Sequence, residues 1–205
     1  MKTTTALFLL FTLFTACSDD DTSPVNNVQE ETGTLSEKEK DDLLFLREEE
    51  KLARDVYLFS YDKYGDAVFN SISQSEQQHM DNVLGLLVKY GINDPASMQR
   101  GLFTNSTLQT IYDDLTAKSD SSLLDALEVG AIIEDLDIRD LDLNMLNTTK
   151  QDLLDSYTLL QCGSRNHMRS FTKKLVAAGF NYVPQFISSA NYTSIINSPN
   201  EKCGI

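Results

Sequence analysis

Glu76-Gln77-Gln78-His79 sets an acid and an imidazole three residues apart, and His79 is one of only two histidines in 205 residues. On a helix, positions i and i+3 lie one turn apart on one face, so both side chains can reach the same point. What meets there is either a metal ion, for which Glu oxygen and His nitrogen are suitable donors, or an acid–base pair. The pair alone decides nothing, because chance produces this spacing often. Its surroundings are more informative. Phe69, Ile72, Val83, Leu86 and Tyr90 fall on the same face, so two ionisable groups interrupt an apolar stripe.

Three other segments repeat the pattern. Leu43, Leu46, Ala53 and Tyr57 make a stripe that contains Glu50. Leu127, Ala131, Ile138 and Leu141 make one that contains Glu134. Leu153, Tyr157, Leu160 and Phe171 make one that contains Ser164 and His167. An unpaired carboxylate or charged imidazole in such a place costs several kcal/mol (about 2–7) or is driven to neutrality. A lone buried histidine is more often a satisfied core group. Five ionisable groups at matching depth on four helices ask for a common partner, and a divalent cation supplies one.

The elements that must position these residues are helical. Capping signals predict a first helix over 37–64, opened by Ser36 with Glu39 and closed by Gly65. A second is expected over 67–90, a short one over 106–118, a third long one over 121–146 and a fourth over 150–178. The tail from 180 reads as mostly irregular. No segment alternates with a strand period for long enough to compete. Two tight connections flank a connection of roughly 30 residues, which is long enough to cross from one end of a bundle to the other. The expected fold is all-α: a four-helix bundle with one long crossover between helices two and three.

Glu50, Arg54 and Tyr57 followed by Glu76-x-x-His79 resemble the first half of a rubrerythrin or ferritin-like di-iron domain. LREEEKLARDVY (46–57), SEQQHM (75–80), GLFTN (101–105), GAIIEDLDI (130–138) and GSRNHMRSF (163–171) are similar to a prokaryotic family of ferritin-like domains catalogued as a domain of unknown function. The resemblance spans about residues 35–190. It implies a ferritin-like bundle with Glu50, Glu76, His79, Glu134 and His167 as metal ligands, and Asp137 as a further oxygen donor. Ser164 departs from it, standing where the fourth helix would offer Glu. Glu48 and Glu49 read as solvated or paired with Lys51 or Arg54. Arg54 and Arg165 are either partners of ligating carboxylates or surface ions. Tyr57 reads as core filling, or as a hydrogen-bond donor or oxidisable phenol beside the site.

The two ends carry different signals. Lys2 precedes an apolar run, Ala6–Phe14, too short for a spanning helix and matching the core of an export signal. Phe14-Thr15-Ala16-Cys17 resembles a lipoprotein processing site. The expected organisation is a signal peptide over 1–16, a tether over 17–34 lipidated at Cys17, a bundle over 35–190 and an irregular tail over 191–205. Ser18-Asp19-Asp20-Asp21 resembles an acidic signal for the outer face of the outer membrane. The expected location is therefore the outer membrane, at the cell surface or on the periplasmic face, with the membrane as partner through the lipid. In that oxidising setting Cys162 and Cys203 are candidates for a disulfide or remain free thiols. A net charge of −14 argues against nucleic acid as a partner.

Hard oxygen donors with two imidazoles favour iron or manganese over zinc, in one or two ions. The leading functional expectation is a metal-binding lipoprotein that handles oxidant or oxidises Fe²⁺. The alternative is a non-catalytic surface-binding or structural lipoprotein with a degenerate site. A hydrolase ranks third, because no nucleophile and base stand apart from the stripes.

Overall fold

The computed structural model describes residues 33–204; the expected signal peptide, Cys17 and most of the tether lie outside them. Every regular element among the described residues is a helix: α1 (Glu37–Tyr64), α2 (Ala67–Lys89), α3 (Ser106–Ser119), α4 (Leu123–Leu146), α5 (Gln151–Ala177) and α6 (Ser189–Ile196). No helix among these residues is long and apolar enough to cross a membrane.

The ends are set by local chemistry. At the start of α1 the Ser36 hydroxyl accepts the Glu39 amide, and the Glu39 carboxylate accepts the Ser36 amide. Gly65 closes the helix at φ 64°, a left-handed conformation that a side chain would strain. Asp66 follows at once and caps α2 by accepting the Val68 amide. One Gly-Asp dipeptide therefore ends one helix and begins the next, forcing α1 and α2 into a hairpin.

Contacts between helix ends fix how the hairpins meet. Lys63 near the end of α1 donates to the Asp120 carbonyl just before α4, and Thr148 just after α4 donates to Glu39 at the start of α1. Those two helices run antiparallel. Likewise Lys174 near the end of α5 reaches Asp66 before α2, and Tyr90 after α2 donates to Asp152 at the start of α5. Four long helices thus form a bundle.

The long connection lies against α1 and explains an expectation that fails. Glu48 is not solvated: it is 2 % exposed and accepts the amides of Thr104 and Asn105 at 2.7 and 2.9 Å. Arg47 clamps Asp94 with two bonds of 3.0 and 2.8 Å. Lys51, fully buried, donates to Asp55 and to the Gln99 carbonyl, while Asp55 also accepts the Gly101 amide. Each of these charges is paired or hydrogen-bonded, the condition under which burying it is tolerable. The crossover, rather than water, covers this face of α1.

The C-terminal segment is more ordered than its composition suggests. Ser188 caps α6 by accepting the Asn191 amide, and Tyr192 and Ile195, one turn apart, are buried. Eight residues are too few for a hydrophobic period to stand out in sequence. Cys162 and Cys203 are joined in a disulfide, with Cα atoms 5.6 Å apart. Beside it Glu201 bonds Arg165 and Arg169. The tail is therefore fastened to α5.

The core is divided. One apolar cluster gathers Val56, Tyr57, Phe69, Ile72, Ile133 and Phe171, and another gathers Leu46, Val83, Leu87, Leu141, Leu153 and Leu160. Between them, at mid-height on all four long helices, lies a layer of charged side chains.

Candidate metal centre

Glu50 comes from α1, Glu76 and His79 from α2, Glu134 from α4 and His167 from α5. All three carboxylates are at most 1 % exposed, and both imidazoles are 7 % exposed. They form two groups of three donors. Glu50, Glu76 and His79 offer atoms within 4.8 Å of one another, as do Glu76, Glu134 and His167. Glu76 belongs to both.

The contacts show how it is shared. Nδ1 of His79 lies 2.8 Å from Glu76 Oε2 and 3.1 Å from Glu50 Oε2. Nδ1 of His167 lies 2.8 Å from Glu76 Oε1 and 3.4 Å from Glu134 Oε2. Each histidine thus turns the same nitrogen to the cluster. The other nitrogen of His167 is engaged by the Ser75 hydroxyl at 3.0 Å, which fixes the ring. Tyr57 donates to Glu134 Oε1 at 2.5 Å and fixes that carboxylate, so its phenol is a hydrogen-bond donor as well as core.

Electrostatics show what this layer costs without a cation. Burial raises the Glu50 carboxyl, and neighbouring Glu76 opposes the relief that His79 gives. Burial likewise pushes Glu134 up to about 7 despite His167. Glu76 is the exception: burial would raise it, but two imidazoliums hold it far below the usual carboxylate range. The histidines answer in kind. Burial works against charging His167, yet Glu76 and Glu134 push it up to about 10.

A cation fits this donor set. Glu50 Oε1 is buried with no hydrogen-bond partner, and Glu76 Oε1 and Glu134 Oε2, also buried, have only the His167 Nδ1 contacts at 2.8 and 3.4 Å. Buried polar atoms are seldom left so, and three under-paired carboxylate oxygens in the two donor groups are a shortage of positive charge. Two donors on one ion at about 2.1 Å stand roughly 3.0–3.4 Å apart, depending on the angle between them. The nitrogen–oxygen separations of 2.8–3.4 Å fall close to that range.

The remaining sequence-predicted residues sort as follows. Asp137, one turn beyond Glu134, is 1 % exposed, but it joins neither three-donor group. Ser164 donates to the Leu160 carbonyl of its own helix. Arg54 bonds Asp55 and Gln77, and Arg165 bonds Gln161 and Glu201, so these contacts of both arginines go to groups outside the ligand set. Glu128, which lies off the apolar stripe of α4, pairs with Lys118. Glu49 corrects an expectation: it is buried at 2 % exposure, with neither oxygen hydrogen-bonded.

Gly163 was not singled out in the sequence. A Cβ added there would stand 2.5 Å from His79 Nε2, so the missing side chain makes the seat for that ring. Gly163→Ala is expected to displace His79, weakening metal uptake about tenfold and costing about 1–3 kcal/mol of stability. Ser164→Ala next to it removes a bond made within the helix and is expected to leave metal uptake unchanged. Metal titration and urea unfolding of both variants check the contrast.

Fold and site together define a class: an all-helical bundle whose core is split by buried carboxylates and imidazoles that could hold metal. The chain belongs to the family described as an uncharacterized protein domain, DUF2202, whose model matches residues 39–199. It is 48 % identical over 169 residues to the uncharacterized protein MJ0754 of Methanocaldococcus jannaschii, covering 82 % of this chain and 91 % of that protein. A crystal structure of the hypothetical protein MJ0754 from Methanococcus jannaschii superimposes with a TM-score of 0.81 at 48 % identity, covering 82 % of this chain and 97 % of that one.

Proposed function

We propose that this protein is a ferritin-like metal protein holding two divalent transition ions, iron or manganese, on Glu50, Glu76, His79, Glu134 and His167, and that it handles oxidant or oxidises Fe²⁺. The observation that carries the reading is the position of Glu76, one oxygen in each three-donor group. Hard carboxylates with two imidazoles and no thiolate match those metals. Bound there, such an ion supplies electron transfer to O₂ or peroxide.

The chain's own part is to position and to exclude. Tyr57 and Ser75 hold Glu134 and His167 in fixed orientations. The two apolar clusters above and below keep water away and lower the local dielectric, which strengthens every charge interaction in the layer. Export and lipidation at Cys17 extend the proposal to an outer-membrane lipoprotein, held by its lipid at the cell surface or on the periplasmic face. Ala6–Phe14, Ala16-Cys17 and the acids at 19–21 support this.

A second reading is favoured by Ser164, whose hydroxyl turns to its own helix and offers the cluster nothing. In that reading the site is degenerate and the protein is a non-catalytic binding or structural lipoprotein. Elemental analysis of untagged protein, followed by Fe²⁺ and Mn²⁺ titration, separates the two. The first reading expects about two equivalents in the cluster and a spectral change on exposure to O₂ or peroxide. Failure to take up either metal would overturn it. Static, redox-silent metal would leave the second.

A further inference from the structure

The disulfide between Cys162 and Cys203 stands at the surface rather than in the core. Cys203 is exposed, and Cys162 is 8 % exposed. Both belong to the wall of a surface cavity of about 790 Å³ formed by α2, α5 and the C-terminal residues 201–204. The outer sulfur also has a donor, since the Asn166 side-chain amide lies 3.1 Å from Cys203 Sγ. Nor does the disulfide alone fasten the tail. The Glu201 carboxylate accepts from Arg165 and Arg169, and its backbone amide and carbonyl both bond the Asn166 side chain. Ser198 accepts from Arg169 as well. None of these bonds involves sulfur, so they keep Cys203 beside Cys162 when the S–S bond opens.

We propose that this disulfide is an exchange site for small thiols, which enter through the cavity and cycle it between disulfide and dithiol while the bundle stays folded. Access decides which sulfur a thiolate attacks, and here that sulfur is Cys203 Sγ. The incoming thiolate bonds to Cys203 Sγ, the S–S bond breaks, and Cys162 leaves as a thiolate that takes a proton from water. A second thiolate then attacks the small-molecule sulfur of the mixed disulfide. The small-molecule disulfide departs, and Cys203 is left as a thiolate to which the Asn166 amide donates. Two electrons have then passed from two thiols to the protein. A buried disulfide that acts only as a staple is instead closed to thiols until the chain opens. The exchange goes beyond metal binding and does not rest on it.

The full chain, held in chelator and native buffer and treated with L-cysteine, tests the site. The disulfide is expected to disappear at a rate proportional to L-cysteine concentration. Peptide mapping after an acid quench, which sets Cys17 apart, is expected to find the mixed disulfide on Cys203. Two variants check access directly. With cystine, the free Cys203 of C162S is expected to form its mixed disulfide about tenfold faster than the free Cys162 of C203S. Replacing L-cysteine by cystine is expected to restore the Cys162–Cys203 bond in reduced wild type without urea. A rate independent of thiol concentration, reduction only in unfolding urea, or a mixed disulfide on Cys162 would overturn the proposal. The wild-type measurements decide it should either variant fail to fold. Chelator removes metal throughout, so failure here leaves the function proposed above standing, and absence of metal leaves this site standing.

Discussion

Glu76→Gln is expected to abolish metal binding at both three-donor groups, with affinity falling on the order of 100-fold or more at each. Glu50→Gln and Glu134→Gln are expected to weaken one group each. The asymmetry follows from geometry, since Glu76 alone has one oxygen 2.8 Å from His79 Nδ1 and the other 2.8 Å from His167 Nδ1. An amide keeps one acceptor oxygen but turns an NH₂ towards the second histidine, so it cannot serve both. Stoichiometric titration with Fe²⁺ or Mn²⁺ checks the pattern. A Glu76→Gln protein that binds as much as Glu50→Gln would remove the shared carboxylate from the account.

The same substitution should weaken the metal-free fold, by a route that depends on pH. Glu76 is the counter-ion of two buried imidazoles, and breaking a buried pair costs about 3–5 kcal/mol if the stranded charge stays charged. Here the histidines can release protons, so about 2–3 kcal/mol is expected near neutral pH. His167 is pushed up to about 10 from an ordinary 6.5, partly by Glu76. A raised imidazole stabilises fully below its unfolded value and loses that contribution as the pH climbs through the folded one. The gap between wild type and Glu76→Gln, read by urea unfolding in chelator, should therefore be widest below pH 6.5 and narrow towards pH 10.

How much of this was legible beforehand depended on whether one helix face could stand for the whole helix. On α2 it could. One side meets the core and the other faces water, so Glu76 and His79 interrupted a clear stripe, and the Gly65-Asp66 signal gave the hairpin. On α1 and α4 it could not. The crossover buries Arg47, Glu48, Lys51 and Asp55 on a face of α1 that reads as a solvated charge run. Burial on several faces erases the amphipathic contrast on which a sequence reading rests. Glu49 was lost for that reason. Gly163 left no local trace at all, because what it accommodates comes from another helix. The ligand set survived because its residues lie inward on all four helices, where chemistry and periodicity agree.

Asp135→Ala is expected to be the most destabilising single change outside the cluster, at about 4–5 kcal/mol, while leaving metal uptake at the Glu/His cluster within twofold. Asp135 directly follows the ligand Glu134, but a one-residue step on a helix turns it by about 100° to another face. There it is fully buried and accepts four hydrogen bonds, from the Tyr182 hydroxyl and the amides of Gln185, Phe186 and Ile187. Bonds to a charged acceptor contribute about 1.5–3 kcal/mol each, and they do not add when they share one carboxylate. Removing it also strands three backbone donors, since residues 185–187 belong to no helix that could pair them. Asp135→Asn should recover only part of the loss, because an amide offers one acceptor oxygen where the carboxylate offers two. The disulfide and the Glu201 bonds keep residues 201–203 attached to α5, so the defect should be local to the segment before α6. Hydrogen exchange should show amides 182–196 losing protection while those of α2 and α5 keep theirs. Equal loss across the bundle would mean that Asp135 supports the fold as a whole rather than docking this strap.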